Sequence, residues 1–169
     1  NSKTICNLSV ETSGALSVIK DMVPPNVSLK TRLPPNLPGV SLDSEAFREI
    51  LSGLMTNAWE AIAKNEGTVA VTTGVTRFDP SGWLQITAPE NLDGEYVYLE
   101  VTDDGAGMDK EILGRMFDPF FSTKFTGRGL GLATIEGIVQ SHDGWIGVCD
   151  TSAKGTTLRV GFPAVRTSV

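Results

Sequence analysis

The amino-acid sequence predicts an α+β fold, a two-layer sandwich with helices on one face of a mixed, mostly antiparallel sheet. Segments rich in β-branched residues alternate apolar and polar side chains, as strands with one buried face do. Among them lie segments whose apolar residues recur every three or four positions, as in amphipathic helices. Most strand segments follow one another as hairpins, which favours antiparallel pairing within one sheet.

The first part of the chain predicts an extended segment, a helix and two strands. Residues 4–8 are expected to be extended, and a helix is expected from Ser9 to Asp21 because the Pro24–Pro25 pair stops helical structure. Two strands follow, one on each side of a turn at Pro34–Gly39, over Val27–Leu33 and Val40–Leu42.

The clearest predicted helix runs from Phe47 to Ile62. Asp43 can cap its N-terminus, and the helix dipole favours an acid such as Glu45 in the first turn. The apolar residues of this helix recur on one face and are Phe47, Ile50, Leu51, Leu54, Met55, Ala58, Ala61 and Ile62.

The remainder predicts two strand pairs and two helices. A long excursion over Asp79–Gly94, with Trp83–Ile86 partly extended, joins the strands Thr68–Phe78 and Glu95–Thr102. The other expected elements are helices over Asp109–Met116 and Arg128–Ser141 and a terminal strand pair over Gly144–Asp150 and Thr156–Phe162.

Length and composition favour one globular domain over residues 1–169. The chain has 14 Lys and Arg against 20 Asp and Glu, a net charge of −6 that disfavours a nucleic-acid partner. Cys6 and Cys149 match no metal-ligand spacing and are expected to be buried free thiols in a reducing compartment. No apolar run approaches the roughly 20 residues that span a bilayer. Because Asn1 is not an initiator methionine, we expect a piece of a longer protein.

Asn57 is a polar residue within the helical segment LMTNAWEAIAKNEG. It is either a solvated side chain on the outer face of the helix or a ligand-binding amide, and taken alone the two interpretations weigh equally.

The sequence DDGAGM at 103–108 follows the apolar strand YVYLEV. Gly105 and Gly107 let the backbone approach a flat ligand, and the carboxyl of Asp103 can accept a hydrogen bond from the exocyclic amine of adenine. An ordinary tight turn before a helix explains the same residues, since a single Gly-x-Gly is a weak signal.

A glycine-rich loop precedes the predicted helix over Arg128–Ser141, in FDPFFSTK followed by FTGRGLGLAT. Free backbone N–H groups and the positive end of a helix can receive phosphate oxygens there. The aromatic residues and the lysine beside the loop resemble a mobile lid over a ligand. The residues concerned are Phe117, Phe120, Phe121, Lys124, Gly127, Gly129 and Gly131.

The segment KGTTLRVGFP offers Gly155 and two hydroxyls, Thr156 and Thr157, at the start of the last strand. A threonine there can share a water with Asp103 and a base. A β-turn followed by strand-favouring threonines explains the pattern nearly as well.

The order and spacing of these motifs resemble the GHKL superfamily of ATP-binding domains, with its Bergerat fold, and most closely the catalytic domain of sensor histidine kinases. The Asn57 segment resembles the N box, DDGAGM the first glycine box, FDPFFSTK the F box, GRGLGL the second glycine box and GTT the third. The run FFSTKFTGRGLGLA is most similar to bacterial hybrid kinases, in which a receiver domain often follows.

This resemblance implies a site for ATP and Mg²⁺. Asn57 would coordinate Mg²⁺, Asp103 would bind the N6 amine of adenine, and Lys124 would lie near the phosphates. The full set of expected nucleotide contacts is Asn57, Asp103, Gly105, Gly107, Lys124, Gly127, Arg128, Gly129, Leu130, Gly131, Leu132, Thr156 and Thr157.

The resemblance also implies a cytoplasmic two-component kinase that donates the γ-phosphate to a histidine on a separate upstream dimerisation domain. The implied partners are that domain and a response regulator or fused receiver domain, within a homodimer whose parent is either free or membrane-anchored. The domain alone is expected not to autophosphorylate.

Two residues depart from the family pattern. Gly53 stands where many relatives have a second Asn, and where ATP-hydrolysing relatives have the Glu that activates water. Glu60 stands where a basic or polar group often meets phosphate. The alternatives are a related protein serine kinase and a nucleotide-sensing or interaction module without catalysis; the phenylalanine-rich F box favours the histidine kinase over the serine kinase.

His142 is the single histidine of the chain and follows the apolar helix LATIEGIVQS. A helix C-terminus favours a partly cationic imidazole, and we expect a structural role there, not that of phosphate acceptor.

Overall fold

A six-stranded sheet and a helical layer form most of the computed structural model, which describes residues 2–90, 92–118 and 131–166. The strands are β1 (Thr4–Cys6), β2 (Val27–Arg32), β3 (Val40–Leu42), β4 (Gly67–Arg77), β5 (Gln85–Thr87), β6 (Glu95–Asp103), β7 (Trp145–Ser152) and β8 (Gly155–Pro163). The helices are α1 (Leu8–Ile19), extended by a 3₁₀ turn over Lys20–Met22, α2 (Ser44–Ile62), α3 (Lys110–Arg115) and α4 (Leu132–Ser141).

The large sheet has the strand order β2-β4-β6-β8-β7-β5. Only β2 and β4 pair in parallel, and the other neighbours are antiparallel. The strands β1 and β3 form a separate antiparallel pair, and β3 contacts β8 of the large sheet. The prediction of a mixed, mostly antiparallel sheet with helices on one face is confirmed.

The core lies between that sheet and the helices. α2 contacts α1 and α4 on either side and rests on β6 and β4. Alternate residues of β6 face this layer, and Val97, Leu99 and Val101 are buried there. Fully burying an aliphatic side chain stabilises the fold by about 1.5–3 kcal/mol, so the amphipathic stripe of α2 is a main source of stability.

Side chains begin both long N-terminal helices as capping rules predict. Asn7 Oδ1 accepts a hydrogen bond from Val10 N at 3.2 Å to start α1. Asp43 Oδ1 accepts one from Glu45 N at 3.0 Å to start α2. The Asp43 cap is confirmed, and α2 begins at Ser44, earlier than the apolar pattern alone indicated.

The excursion between β4 and β6 is the main departure from the sequence-based expectation. Its extended part is Gln85–Thr87 and not Trp83–Ile86, and it pairs with β7 at the far edge of the sheet. On the way it covers the outer sheet face, where Trp83 packs against Phe78 and the fully buried Trp145. The sequence therefore predicted that helices cover one face of the sheet, but it did not predict that aromatic residues cover part of the opposite face.

Several element ends differ from the predicted ones by a few residues. Leu8 belongs to α1 rather than to the first extended segment, and α4 begins at Leu132, whereas a helix from Arg128 was expected. Residues 128–130 of that expectation lie outside the described part of the chain. Both cysteines are free but only partly buried. Within the described ranges, no helix is long and apolar enough to cross a membrane.

Candidate functional site

Asp103 is the last residue of β6 and faces the helical layer. Its side chain is 8% exposed, and its Oδ1 accepts a hydrogen bond from Gly105 N at 2.8 Å. Burial raises the pKa of this carboxyl to about 6, although the hydrogen bond from Gly105 acts in the opposite direction. A buried acceptor at the end of a strand is suited to an amine donor of a ligand.

The turn after Asp103 contacts protein backbone on two sides. A Cβ at Gly105 would stand 2.5 Å from the carbonyl carbon of Ala61 in α2, and Ala106 N donates to Ala61 O at 3.1 Å. Gly107 has φ +80°, and a Cβ there would overlap the carbonyl oxygen of Ser152. Both glycines thus hold the turn against α2 and the β7–β8 hairpin, in addition to any role near a ligand.

Asp104 is an anchor that the sequence analysis did not single out. Its Oδ1 accepts a hydrogen bond from Thr68 N at 2.8 Å, which ties the turn to β4. The sequence shows two adjacent aspartates after a strand, which could have indicated a role for each of them. Their roles differ because neighbouring residues of a strand face opposite sides, so that Asp103 is buried and Asp104 bonds to β4.

Asn57 lies one helical turn before Ala61, on the side of α2 that approaches the glycine turn. Its Nδ2 is buried and has no hydrogen-bond partner in the described ranges. A buried amide group without a hydrogen-bond partner is costly in a folded protein unless a ligand satisfies it. The position of Asn57 therefore favours a ligand-binding amide over a solvated side chain. Gly53 is buried one turn earlier in the same helix.

The amide oxygen of Asn57 is a hard ligand of the type that Mg²⁺ accepts, and the metal would take its other oxygens from phosphates and water. The residues present therefore fit a magnesium ion held mainly by a bound nucleotide.

The two threonines of the last strand face opposite sides of the sheet. Thr156 pairs with Asp103, is 5% exposed, and shares a hydrogen bond of 2.8 Å with Thr151 Oγ1. Thr151 in turn accepts from Met108 N at 2.8 Å, and the sequence analysis did not identify it. Thr157 contacts Thr102 instead, at 3.1 Å on the outer face. Only Thr156 shares a sheet face with Asp103.

The N-terminus of α4 is the described part of the segment where the sequence predicts phosphate contacts. Gly131 is its N-cap, makes no side-chain capping bond, and precedes Leu132. The remaining predicted contacts, together with two of the three phenylalanines, lie outside the described residues: Phe120, Phe121, Lys124, Gly127, Arg128, Gly129 and Leu130.

A cavity of about 310 Å³ opens beside the glycine turn and is lined by Ala61, Asp104 and Gly105 among others. Neither Asp103 nor Asn57 lines it. We therefore do not assign the nucleotide to this cavity.

His142 ends α4 and is 5% exposed. Its Nδ1 donates to Ile138 O at 2.9 Å, and its Nε2 accepts from Asp43 N at 3.2 Å. Both contacts support the structural role that the sequence predicts for this residue. The buried ring joins the end of α4 to the start of α2, as a structural residue does.

Comparison with known proteins gives one consistent result. The family model described as histidine kinase-, DNA gyrase B- and HSP90-like ATPase matches residues 42–166. Sensor histidine kinase ZraS of Escherichia coli is 33% identical over 75% of this chain and 23% of its own length. Sensory histidine kinase/phosphatase NtrB of Rhodobacter capsulatus is 37% identical over 76% of this chain and 35% of its length. The chain thus spans about a quarter to a third of these relatives.

Solved structures agree in fold. The catalytic domain of histidine kinase ThkA superposes with a TM-score of 0.72 at 23% identity, over 97% of each chain. ThkA in complex with response regulator protein TrrA gives a TM-score of 0.68 at 20% identity, over 96% of this chain and 42% of that one.

Proposed function

Because the chain belongs to the histidine kinase-, DNA gyrase B- and HSP90-like ATPase family, we propose that it binds ATP with Mg²⁺ and donates the γ-phosphate to a histidine on an upstream dimerisation domain. The observation that carries the proposal is the buried carboxyl of Asp103 at the end of β6, beside a glycine turn that rests on the helix of Asn57.

In this proposal the described residues divide between the base and the phosphates. Asp103 accepts a hydrogen bond from the adenine amine, and Thr156 shares a water with it. The amides at the N-terminus of α4, from Gly131 onward, receive phosphate oxygens. Mg²⁺, held by the Asn57 amide oxygen, supplies charge neutralisation on the triphosphate when bound. The phosphate contacts that the family resemblance implies for Lys124 and for residues 127–130 remain predictions, since these residues lie outside the described part of the chain.

Phosphoryl transfer then depends on positioning. A nitrogen of the acceptor imidazole forms a bond to the γ-phosphorus, the bond to the β–γ bridging oxygen breaks, and ADP leaves. The proton of the imidazole passes to a base outside this chain. His142 is not the acceptor in this proposal, because both of its ring nitrogens are already hydrogen-bonded in a buried position.

The proposed setting is a cytoplasmic, homodimeric sensor kinase that passes its phosphate to a response regulator or fused receiver domain. Relatives named as sensor histidine kinases support this setting, as does the complex of ThkA with TrrA.

Calorimetric titration with ATP in the presence and absence of Mg²⁺ tests nucleotide binding. Asn57→Ala is expected to weaken the magnesium-dependent affinity about tenfold or more, since it removes a ligand to a charged group. Asn65→Ala, at an exposed asparagine beyond α2, is the matched control and should bind as the wild type does. No detectable binding by the wild type at millimolar nucleotide would contradict the proposal.

Labelling with γ-phosphate tests the transfer. We expect no label on the chain alone and acid-labile label once the upstream dimerisation segment is added. Stable phosphohistidine on the isolated chain would overturn the structural role of His142.

One alternative is supported by particular residues. Gly53 and Glu60 depart from the pattern of active relatives, which favours a module that senses ATP without transferring phosphate. Normal ATP affinity without any labelling, even in the presence of the dimerisation segment, would select that alternative.

A further inference from the structure

β5 directs two polar side chains toward the helical layer. Gln85 and Thr87 pair with Val148 and Ile146 of β7, whose side chains are buried in the core. Side chains of paired residues share a sheet face, so both polar groups face the helices. Ile86 between them points to the outer face and contacts Gly147. An edge strand that only covered the core would have apolar residues at the two inward positions.

Each of these polar groups bonds to a different helix. Gln85 Nε2 donates to Leu113 O at 3.1 Å, in the last turn of α3, where carbonyl oxygens lack helical donors. Thr87 Oγ1 donates to Oε2 of Glu136 in α4 at 2.8 Å. The second bond has a carboxyl acceptor and is strengthened by its charge.

α3 and α4 are also the two helices that border residues 119–130. Along its length α4 otherwise packs through apolar residues, with Ile135 and Val139 fully buried, and its C-terminal end is held by the hydrogen bond from Asp43 N to His142. Apolar contacts are non-directional, whereas the hydrogen bond from Thr87 to Glu136 has a defined direction and adds a constraint on the rotation of α4. The three-residue strand β5 thus holds both helices from one edge of the sheet.

We propose that Gln85 and Thr87 are positioning residues for the phosphates of the bound nucleotide. They act by fixing α3 and α4, and through α4 the backbone amides that begin at Gly131. This inference rests on the proposed function, because it assigns a purpose to the orientation of the helix that would receive the phosphates. Neither residue touches the nucleotide.

Two substitutions remove the hydrogen bonds while keeping shape. Thr87→Val retains the β-branched outline without the hydroxyl, and Gln85→Met retains chain length without the amide. The matched control is Thr76→Val on the outer face of β4, whose hydroxyl donates only to the neighbouring Arg77 O, at 3.1 Å. All three variants are titrated with Mg-ATP and separately with adenosine, which lacks phosphates.

We expect Thr87→Val and Gln85→Met each to weaken Mg-ATP binding about threefold to tenfold, the usual effect of one hydrogen bond, and to leave adenosine affinity unchanged. Thr76→Val should leave both affinities unchanged, and Thr87→Ser should restore Mg-ATP binding. Thr87→Val combined with Glu136→Met, which keeps the chain length without the acceptor oxygens, should lose no more than the greater of the two single losses, because both remove the same bond.

Two results would overturn the inference. One is Mg-ATP affinity in Thr87→Val and Gln85→Met equal to that of the control. The other is an equal loss for ATP and adenosine, which would indicate general destabilisation and not phosphate positioning. If Thr87→Val does not fold, Glu136→Met, which removes the acceptor oxygens of the same hydrogen bond, takes its place under the same criteria. A wild-type chain that binds neither ligand would refute the proposed function itself, which separates the two failures.

Discussion

At the scale of single residues, the burial of Asp103 opposes folding stability and suits the binding role proposed for it. A carboxyl that is 8% exposed prefers to hold its proton, and burial raises its pKa to about 6. At neutral pH the folded protein therefore carries a buried charge that weakens its stability. A ligand amine that donates to this carboxyl would offset part of that cost, as is common at binding sites.

Asp103→Asn is predicted to stabilise the protein at neutral pH and to weaken nucleotide binding. The ordinary pKa of the carboxyl is 3.8 and its pKa in the folded protein is about 6. The contribution of Asp103 to the free energy of unfolding is therefore fully present below about pH 4 and is lost as the pH rises through 6. Asparagine has the same shape without the charge. We expect its free energy of unfolding to exceed that of the wild type by on the order of 1–3 kcal/mol at pH 7–8.

Urea unfolding at pH 4 and pH 7.5, with adenosine titration at pH 7.5, measures both effects. At pH 4 the difference in unfolding free energy should nearly disappear, which is the internal control. A variant less stable than the wild type at pH 7.5 would show that burial does not perturb Asp103 in this way.

At the scale of elements, close backbone approaches assemble the candidate site. The turn at 103–107 lies against α2 at Gly105 and against the β7–β8 hairpin at Gly107. Gly155, with φ +127°, brings the same hairpin onto the backbone of Asp103. No other residue type fits these contacts, so the spacing of glycines in the sequence reflects packing of protein on protein as well as space for a ligand.

Gly107→Ala is predicted to destabilise the protein by about 2–4 kcal/mol. It combines a positive φ of +80° with overlap between the new Cβ and the carbonyl of Ser152. Gly14→Ala in α1 is the matched control, since nothing lies within 4 Å of the new methyl group and alanine favours a helix by roughly 0.5–1 kcal/mol. Denaturant unfolding of both variants measures the difference, and equal midpoints would refute the packing argument.

Local sequence signals predicted the elements well, and long-range contacts account for what was missed. The cap at Asp43 and the apolar stripe of α2 are local patterns, and both are confirmed. The inward side of Thr156 and the outward side of Thr157 depend on register with β6, which no local pattern specifies. Thr151 and Asp104 act through partners 43 and 36 positions away, so the sequence alone gave them no distinguishing mark.

At the scale of the whole molecule, the sheet is covered on both faces. One face carries the helices and the candidate site, and part of the other carries an aromatic cluster of Phe78, Trp83, Tyr96 and Trp145. Glycines at 147 and 161 leave room for the indole rings of Trp83 and Trp145. The sequence did not predict this second core, because the excursion that builds it returns to a strand more than 50 residues further along the chain.

Trp145→Ala is predicted to cost about 3–5 kcal/mol of stability, since the ring is fully buried among three other aromatic rings. Leu84→Ala, at a half-exposed side chain in the same excursion, should change the free energy of unfolding by far less. Urea unfolding followed by circular dichroism compares them. A loss below about 1 kcal/mol in Trp145→Ala would mean that the outer cluster adds little to the fold.

β5 pairs with only three residues of β7, from Ile146 to Val148. β7 then bulges between Val148 and Asp150. Beyond the bulge, the side chains of Asp150 and Ser152 are exposed. An unpaired strand edge can recruit strands of other molecules, and a bulge with an outward charge interrupts the regular ladder that such recruitment needs. The part of β7 that β5 leaves unpaired is therefore irregular and charged, and it is a poor template for strands of other molecules.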